Sequence, residues 1–404
     1  LLRFKIQNSK QRTTDNGQRT TDKLKILQIS SAHSFGGGEK HLVDLTKGLI
    51  ERGHDVCVAL RPHSPLIERL EGINVFTVPL RNSFDILSAS QLKKIIRDNE
   101  IEIVHAHLGR DYPLASFAAR NTKAKLIITR HVLFSLNRLH RFTLSNVTRV
   151  IAVSKAVEKN LLEQKIFPQE KICVVHNGIN TDRKGEREKG RKGEEAKNTL
   201  VSPSPLLPFS PSPLLPFSTV GTVGELNQLK GHEEFIRAAA LLVKKFDNIQ
   251  FVIVGKDNSK KKENAKRFEK LCEDLNIKER VKFIDWIEPL KDFLSSLDVF
   301  VSASRSESFG LAILEAMNCG VPVVATKTEG ACEIIENEKT GLLVEVGDVE
   351  AISDTVESLL NDELKRKAFS DAARRVVRER FSLGKMIDET EKVYQEAHSS
   401  SQTV

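Results

Sequence analysis

Residues 299–325 read VFVSASRSESFGLAILEAMNCGVPVVA. A short apolar run from Val299 to Ser302 leads into a polar loop. An apolar-periodic stretch over about 310–319 follows, then Gly320, then a second short apolar run from Val321 to Ala325. A glycine just past a periodic stretch is a helix stop signal. Short apolar runs without alternation suit strands buried on both faces of a parallel sheet, and a helix between two of them is the crossover that parallel pairing needs. Ligands bind outside the carboxyl ends of such strands. The loop 303–310 is therefore where this unit would do its chemistry.

The alternation extends both ways from that unit. Downstream, Leu342–Val344 is a further strand, two helices cover roughly 349–380, and Ser382 to Ala397 forms a last amphipathic helix carrying Met386, Ile387, Val393 and Tyr394. Upstream, strands are predicted at Thr219 to Val223, Phe251 to Val254 and Val281–Ile284, with helices over about 232–246, 260–275 and 289–297. A separate series starts at Leu24, with short apolar runs at 24–29, 56–60, 75–78, 103–106, 126–129, 150–153 and 172–175. Alternating strands and helices imply an α/β fold of two doubly wound, Rossmann-like domains facing across a cleft. Residues 24–182 form the first domain, 219–380 the second, and 381–397 a C-terminal helix returning to the first. Residues 1–23 and 398–404 read as tails. Between the domains, 183–218 holds a charge run from Arg183 to Lys197 and a tandem Pro-Ser-Pro-Leu-Leu-Pro-Phe-Ser at 203–218. Prolines at that density cannot sit in helix interiors or central strands, so the segment reads as a linker.

Two loops carry chemistry. In 304–316, free backbone N–H groups at Phe309, Gly310, Leu311 and Ala312 open a helix whose dipole favours an anion. Glu307 lies on the loop before it and Glu315 on the helix itself, placed to accept hydrogen bonds from the hydroxyls of two rings flanking a phosphate bridge. In the first domain, Ser34-Phe35-Gly36-Gly37-Gly38-Glu39 also lies between a strand and a helix, where glycine lets backbone approach a ligand closely.

With Gly224-Glu225-Leu226 and Lys230-Gly231 ahead of it, the Glu307…Glu315 segment resembles the family-4 class of retaining glycosyltransferases, of GT-B fold. The resemblance covers about Leu24 to Ala397 apart from 183–218. It implies a sugar moved from a nucleotide diphosphate sugar to a hydroxyl acceptor, a glycan or a lipid-linked one. The implied route is a front-face mechanism, with no cofactor and no metal. Glu307 would contact the donor sugar, Glu315 the ribose, and Lys230 the diphosphate. Gly37 and Gly38 would touch the donor phosphate or the acceptor, and His131 would contact the donor sugar and support catalysis. His105 and His107 resemble the family's His-x-His stretch and read equally well as structural histidines. Ser154 reads first as a helix N-cap, and Asn177-Gly178-Ile179 resembles the turn out of the first domain. One position departs: Glu225 stands where the family usually has Arg, and a carboxylate there would repel the diphosphate. Arg305 and Lys256 are the nearby cations that could replace the missing charge, and the departure also admits a catalytically weak sugar-nucleotide-binding or scaffold relative.

Composition sets the partners. The 404 residues are 40 % hydrophobic and 29 % charged with net charge +8, a globular composition that favours anionic partners. Aromatics make up 6 % with no stacking-module pattern, which argues against nucleic acid. No apolar run approaches the ~20 residues of a membrane span, and the opening residues make a poor signal peptide. Five scattered cysteines without a Cys-x-x-Cys pair read as reduced packing residues of a cytoplasmic protein, with no metal-ligand spacing. From Arg110 to Lys155 nine basic residues accompany one acid, Asp111, and Phe134, Leu136, Leu139 and Phe142 interleave with Arg138 and Arg141. That pattern suits an anionic membrane surface and a peripheral location at the inner face of the cytoplasmic membrane.

Overall fold

The computed structural model describes residues 23–181 and 217–399. Of the expected tails (1–23 and 398–404) and the expected linker (183–218), residues 1–22, 400–404 and 183–216 lie outside the described residues. Ser218 already opens a strand and the last helix runs on to Ser399, so the linker ends earlier and the final tail begins later in the chain than the expected bounds. Seven strands, β1 (Lys25–Ser30), β2 (Asp55–Leu60), β3 (Asn74–Thr77), β4 (Ile103–Ala106), β5 (Lys125–Arg130), β6 (Val147–Ala152) and β7 (Ile172–Val174), form one sheet ordered β3-β2-β1-β4-β5-β6-β7. Six more, β8 (Ser218–Val223), β9 (Ile249–Val254), β10 (Val281–Ile284), β11 (Val299–Ser302), β12 (Val323–Thr326) and β13 (Leu342–Val344), form a second sheet ordered β10-β9-β8-β11-β12-β13. Every pairing is parallel. Both sheets reverse direction of growth at a central pair, β1/β4 and β8/β11, and that switch opens the crevice where doubly wound folds hold ligands. The architecture is two Rossmann-like α/β units.

Local differences from the sequence pattern have local causes. β12 starts at Val323 rather than Val321, because Pro322 has no N–H for the ladder and only its carbonyl serves, accepting from Phe300 at 2.9 Å. Helix Tyr112–Ala119 is buried at every position but Phe117, itself apolar, and so shows no polar face to read. Helix Glu329–Ile334, only six residues long, is likewise silent in the pattern.

The last helix, Leu383–Ser399, leaves the second sheet and lies on the first. Its Met386, Ile387, Val393, Tyr394 and Ala397 close a core with Leu24, Ile26, Leu45, Leu49 and Val56. Each large side chain so buried contributes about 1.5–3 kcal/mol. Polar contacts fix the register. Arg52 Nη1 meets Glu391 Oε2 at 2.8 Å. His54 Nδ1 accepts from the Leu24 N–H at 3.1 Å, so its Nε2 carries the hydrogen and donates to Glu391 Oε1 at 3.1 Å. The entry to this helix is held by Ile179, whose N–H donates to Phe381 O at 3.0 Å and whose carbonyl accepts from Leu383 at 2.8 Å.

Gly178 sits under that crossing. A Cβ there would lie 2.5 Å from Ser382 O and 2.8 Å from Leu383 Cα, both backbone atoms that cannot swing away. Gly178→Ala is expected to destabilise by about 1–3 kcal/mol through overpacking, whereas Gly384→Ala, with open space around its Cβ, should be neutral. Thermal melts of the two variants beside the wild type test this, and equal loss in both would remove the argument from close approach.

Candidate active site

Two helices point their N-termini at each other across the cleft. Helix Gly37–Glu51 follows β1 and helix Leu311–Cys319 follows β11. A Cβ on Gly37 would lie 3.0 Å from Leu311 Cδ1, so these two first turns are in contact distance. Their N-cap positions, Gly36 and Gly310, have no side chain to satisfy the first N–H groups. Two sets of uncapped donors and two positive dipole ends therefore face one place, which is what a diphosphate needs.

The lysine loop comes to the same edge. Asn227 caps the turn Gln228–Lys230 by accepting from the Lys230 N–H at 3.2 Å. Gly231 then takes φ +66°, and a Cβ there would fall 1.8 Å from Ala303 O. Glycine is required at this point because the β8 loop presses directly on the β11 loop. The result aims Lys230 Nζ at Glu307 Oε2, 2.6 Å away. The Glu307 carbonyl accepts from Gly330 N–H at 3.0 Å, and a Cβ on Gly330 would meet the backbone of 307 and 309 at 2.6–2.7 Å. The short helix Glu329–Ile334 is thus the buttress of the Glu307 loop. Glu315 lies 4.0 Å from Lys40 Nζ across the cleft, and Lys40 also holds Asp44 at 3.1 Å. Burial pushes the Glu315 carboxyl above its usual range while Lys40 pulls it down.

Hydrogen bonds stitch the two domains beside these groups. Ser308 Oγ donates to the His131 carbonyl at 2.7 Å, and Ser154 Oγ donates to the Ser308 carbonyl at 2.6 Å. Ser154 also accepts from Val157 N–H at 3.1 Å, so it is both N-cap and interdomain link. Gly38 lies against the His131 ring, 3.6 Å from where its Cβ would be. Burial holds the His131 imidazole well below the ordinary histidine range, so it is neutral at pH 7.

Two family models match the sequence: Glycosyltransferase Family 4 over residues 35–183, and Glycosyl transferases group 1 over residues 216–376. The chain belongs to the family-4 glycosyltransferases. It is 27 % identical to the N-acetyl-alpha-D-glucosaminyl L-malate synthase of Bacillus anthracis over 92 % of this chain and 97 % of that one. A glycosyltransferase structure from Rickettsia africae superposes with TM-score 0.77 at 25 % identity, covering 93 % of this chain and 99 % of that one. The Anabaena protein HepE in complex with UDP has the same fold, with TM-score 0.77 at 20 % identity over 92 % of this chain and 100 % of that one.

In this glycosyltransferase not every residue singled out in the sequence converges. Gly37, Gly38, His131, Lys230, Glu307, Gly310, Leu311 and Glu315 line the facing edges of the two sheets. Phe309 contributes backbone only, because its ring is buried against His176 and Phe381. Arg305 is turned away: its Nε donates to the buried carboxylate of Glu234 at 2.6 Å, and a second guanidinium nitrogen pairs with the same oxygen. An unpaired buried carboxylate would cost more than an exposed arginine gains elsewhere, so Arg305 serves Glu234. Glu225 also points outward, accepting from Asn258 Nδ2 at 3.0 Å, and is not paired with Lys230. Lys256 is exposed. Lys40, His41, Gly330 and Glu333 escaped the sequence reading. Lys40 and His41 follow the glycine loop by two and three residues and looked like ordinary helix positions. Glu333 accepts from the Lys155 N–H at 2.9 Å and pairs with His176, a second interdomain tie that no spacing reveals.

Behind the glycine loop, Asp111 Oδ2 accepts from the Ser31 N–H at 2.7 Å while Oδ1 has no partner. Burial pushes this carboxyl from an ordinary value near 3.8 up to about 6, against the Ser31 hydrogen bonds and Arg110. The folded state therefore holds the proton more tightly than the unfolded one, and ionisation costs stability as pH rises through about 4 to 6. Each pKa unit corresponds to about 1.4 kcal/mol. Asp111→Asn keeps an acceptor for Ser31 without the charge. It should melt higher than the wild type at pH 7.5, with the gap closing by pH 4. A gap independent of pH would show that Asp111 is not the titrating group.

Proposed function

We propose that this glycosyltransferase moves a sugar from a nucleoside-diphosphate sugar to a hydroxyl acceptor with retention of configuration and without a metal. The observation that carries the reading is the meeting of two uncapped helix N-termini at Gly37 and Leu311, beside Lys230 and Glu307. The UDP held by the Anabaena neighbour supports a nucleotide donor. In the proposed step the bond from the anomeric carbon to the diphosphate breaks and the bond from acceptor oxygen to the same face forms. The acceptor proton passes to a departing phosphate oxygen, so no protein base is required. Lys230 and the amides of 37–39 and 311–313 balance the charge that develops on the leaving group, the largest electrostatic demand of the reaction. Neutral His131 offers hydrogen bonds to the donor sugar, and Glu307 and Glu315 accept from its hydroxyls and from the ribose. Glu225, turned to Asn258, leaves the diphosphate unopposed, which favours an active transferase over a binding-only relative.

A panel of nucleotide sugars, with release of nucleoside diphosphate as the readout and EDTA present, tests the reading directly. Lys230→Ala should lower kcat by about 10²-fold or more. Glu307→Ala should lower mainly kcat, because the sugar changes shape and charge in the transition state. Glu315→Ala should raise mainly the donor KM, because the ribose is held equally throughout. Wild-type kinetics in all three would sink the site, and loss of activity in EDTA would sink metal independence.

The acceptor side favours a lipid-linked substrate at an anionic membrane surface. Phe134, Leu139 and Phe142 are 68 %, 63 % and 74 % exposed, next to Arg138 and Arg141. Phe84, Ile86 and Leu87 are exposed as well, and their segment is tied to the 109–110 turn by Arg110 donating to Arg81 O and Ser83 donating to Arg110 O. Arg130, itself buried, lies beside Gly109 and donates to the Phe134 carbonyl, which links that turn to the segment carrying Arg138 and Arg141. No helix among the described residues is long and apolar enough to cross a membrane. Each Lys or Arg near an anionic surface contributes about 1 kcal/mol, screened by salt. Co-sedimentation with anionic but not neutral liposomes, weakened by salt and by Phe134→Ser with Phe142→Ser, is the expected result. Equal sedimentation with both lipids would return the strip to solvent.

A further inference from the structure

Four histidines crowd the floor of the cleft, and they differ in one respect. His105 is fully satisfied: Nδ1 is 2.6 Å from Tyr394 Oη and Nε2 is 2.7 Å from Thr129 Oγ1. The other three are not. Both ring nitrogens of His41, Nδ1 of His107 and Nε2 of His131 are buried without a well-formed hydrogen bond, the Asn177 side chain beside His41 approaching it without closing one. An unsatisfied buried polar atom costs about 1–3 kcal/mol, and native chains leave few of them. Here four such atoms lie in one cluster.

We propose that His41, His107 and His131 form a site for one zinc-type divalent cation, which competes with the donor sugar for His131. One ligand nitrogen from each ring lies within 4.8 Å of the other two. Zinc bonded to imidazole at about 2.0–2.1 Å needs such nitrogens about 3.3 Å apart, so rotation of the rings by roughly 1.5 Å in all closes the set. Imidazole is the ligand that zinc, cobalt and nickel accept readily. The second shell is already built for His107: its Nε2 is 2.6 Å from Gln28 Oε1, an oxygen that can only accept, so Nε2 carries the hydrogen and Nδ1 presents its lone pair to the cluster. Gln28 is oriented in turn by donating to Tyr394 Oη at 3.3 Å. The rings come from three separate elements: helix Gly37–Glu51, the end of β4 and the end of β5. Three protein ligands leave a coordination position open, which a water can fill. The competition half of the proposal rests on the reading of His131 as a donor contact, while the binding half does not.

The test uses the full chain stripped with EDTA and titrated with Co²⁺ alone. The expected result is one equivalent bound, with visible d–d absorption of a low-coordinate site. His41→Gln and His107→Gln should each weaken binding more than 10-fold, with melting curves showing that the fold is kept. If those buried changes unfold the chain, His131→Asn, at the more open edge of the cluster, gives the same readout. No saturable one-to-one binding, or binding indifferent to these substitutions, overturns the site. In a separate arm, Zn²⁺ should inhibit transfer competitively with the nucleotide sugar. Metal binding without inhibition would leave the site standing but overturn both the competition and the donor contact of His131.

Discussion

The hydroxyl of Tyr394 is the point on which the cleft floor depends. It arrives on the last helix, 366 residues after Gln28, and is fully buried between Gln28 Nε2 and His105 Nδ1. A tyrosine is buried at this depth only where its O–H finds a partner. Here that partner fixes the ring of His105, and Gln28 passes the orientation on to His107. The apolar face of the same helix closes the core of the first sheet, and Glu391 locks it to Arg52 and His54. One helix thus completes a hydrophobic core, sets the histidine tautomers and ties the end of the second domain to the first.

The cleft itself is a place where local stability has been left unmade. Helices beginning after Asp85, Ser154, Thr328, Asp348 and Asp362 carry side-chain caps. The two that face each other across the cleft begin after Gly36 and Gly310 and have none. A side-chain cap contributes about 1 kcal/mol, so leaving both open keeps the N–H groups of two facing helices available to one bridging anion. Gly310 takes φ +113° to start its helix sharply, a conformation that side chains rarely adopt.

Charge in the cleft follows burial more than proximity in sequence. Glu234, buried in the first turn of helix His232–Val243, claims Arg305, and Glu307 claims Lys230. Glu225 finds Asn258 on the exposed side of its loop. The carboxylate that looked most damaging is therefore turned to Asn258 and not to Lys230, and the arginine that looked like its replacement is committed to Glu234. Both outcomes follow from the cost of an unpaired buried carboxylate, which neighbouring cations are drawn to satisfy.

The sequence by itself determined the two parallel sheets, since strands buried on both faces leave continuous apolar runs, and those runs match β1 to β13 to within a few residues. It also determined the strand–loop–helix units that carry Gly37, Gly38, Lys230, Glu307 and Glu315, because glycine at a strand end and an apolar period after it are local signals. Tertiary structure alone decided which helix termini face each other, which cation Glu234 keeps, and that His41 joins His107 and His131. Those relations join residues far apart in the chain through burial and hydrogen-bond satisfaction, and no periodicity records them. The silence of helix Tyr112–Ala119 has the same origin. A segment apolar on nearly every side, including at its one exposed position Phe117, has no polar face to mark its turn, so only its neighbours could give it a shape.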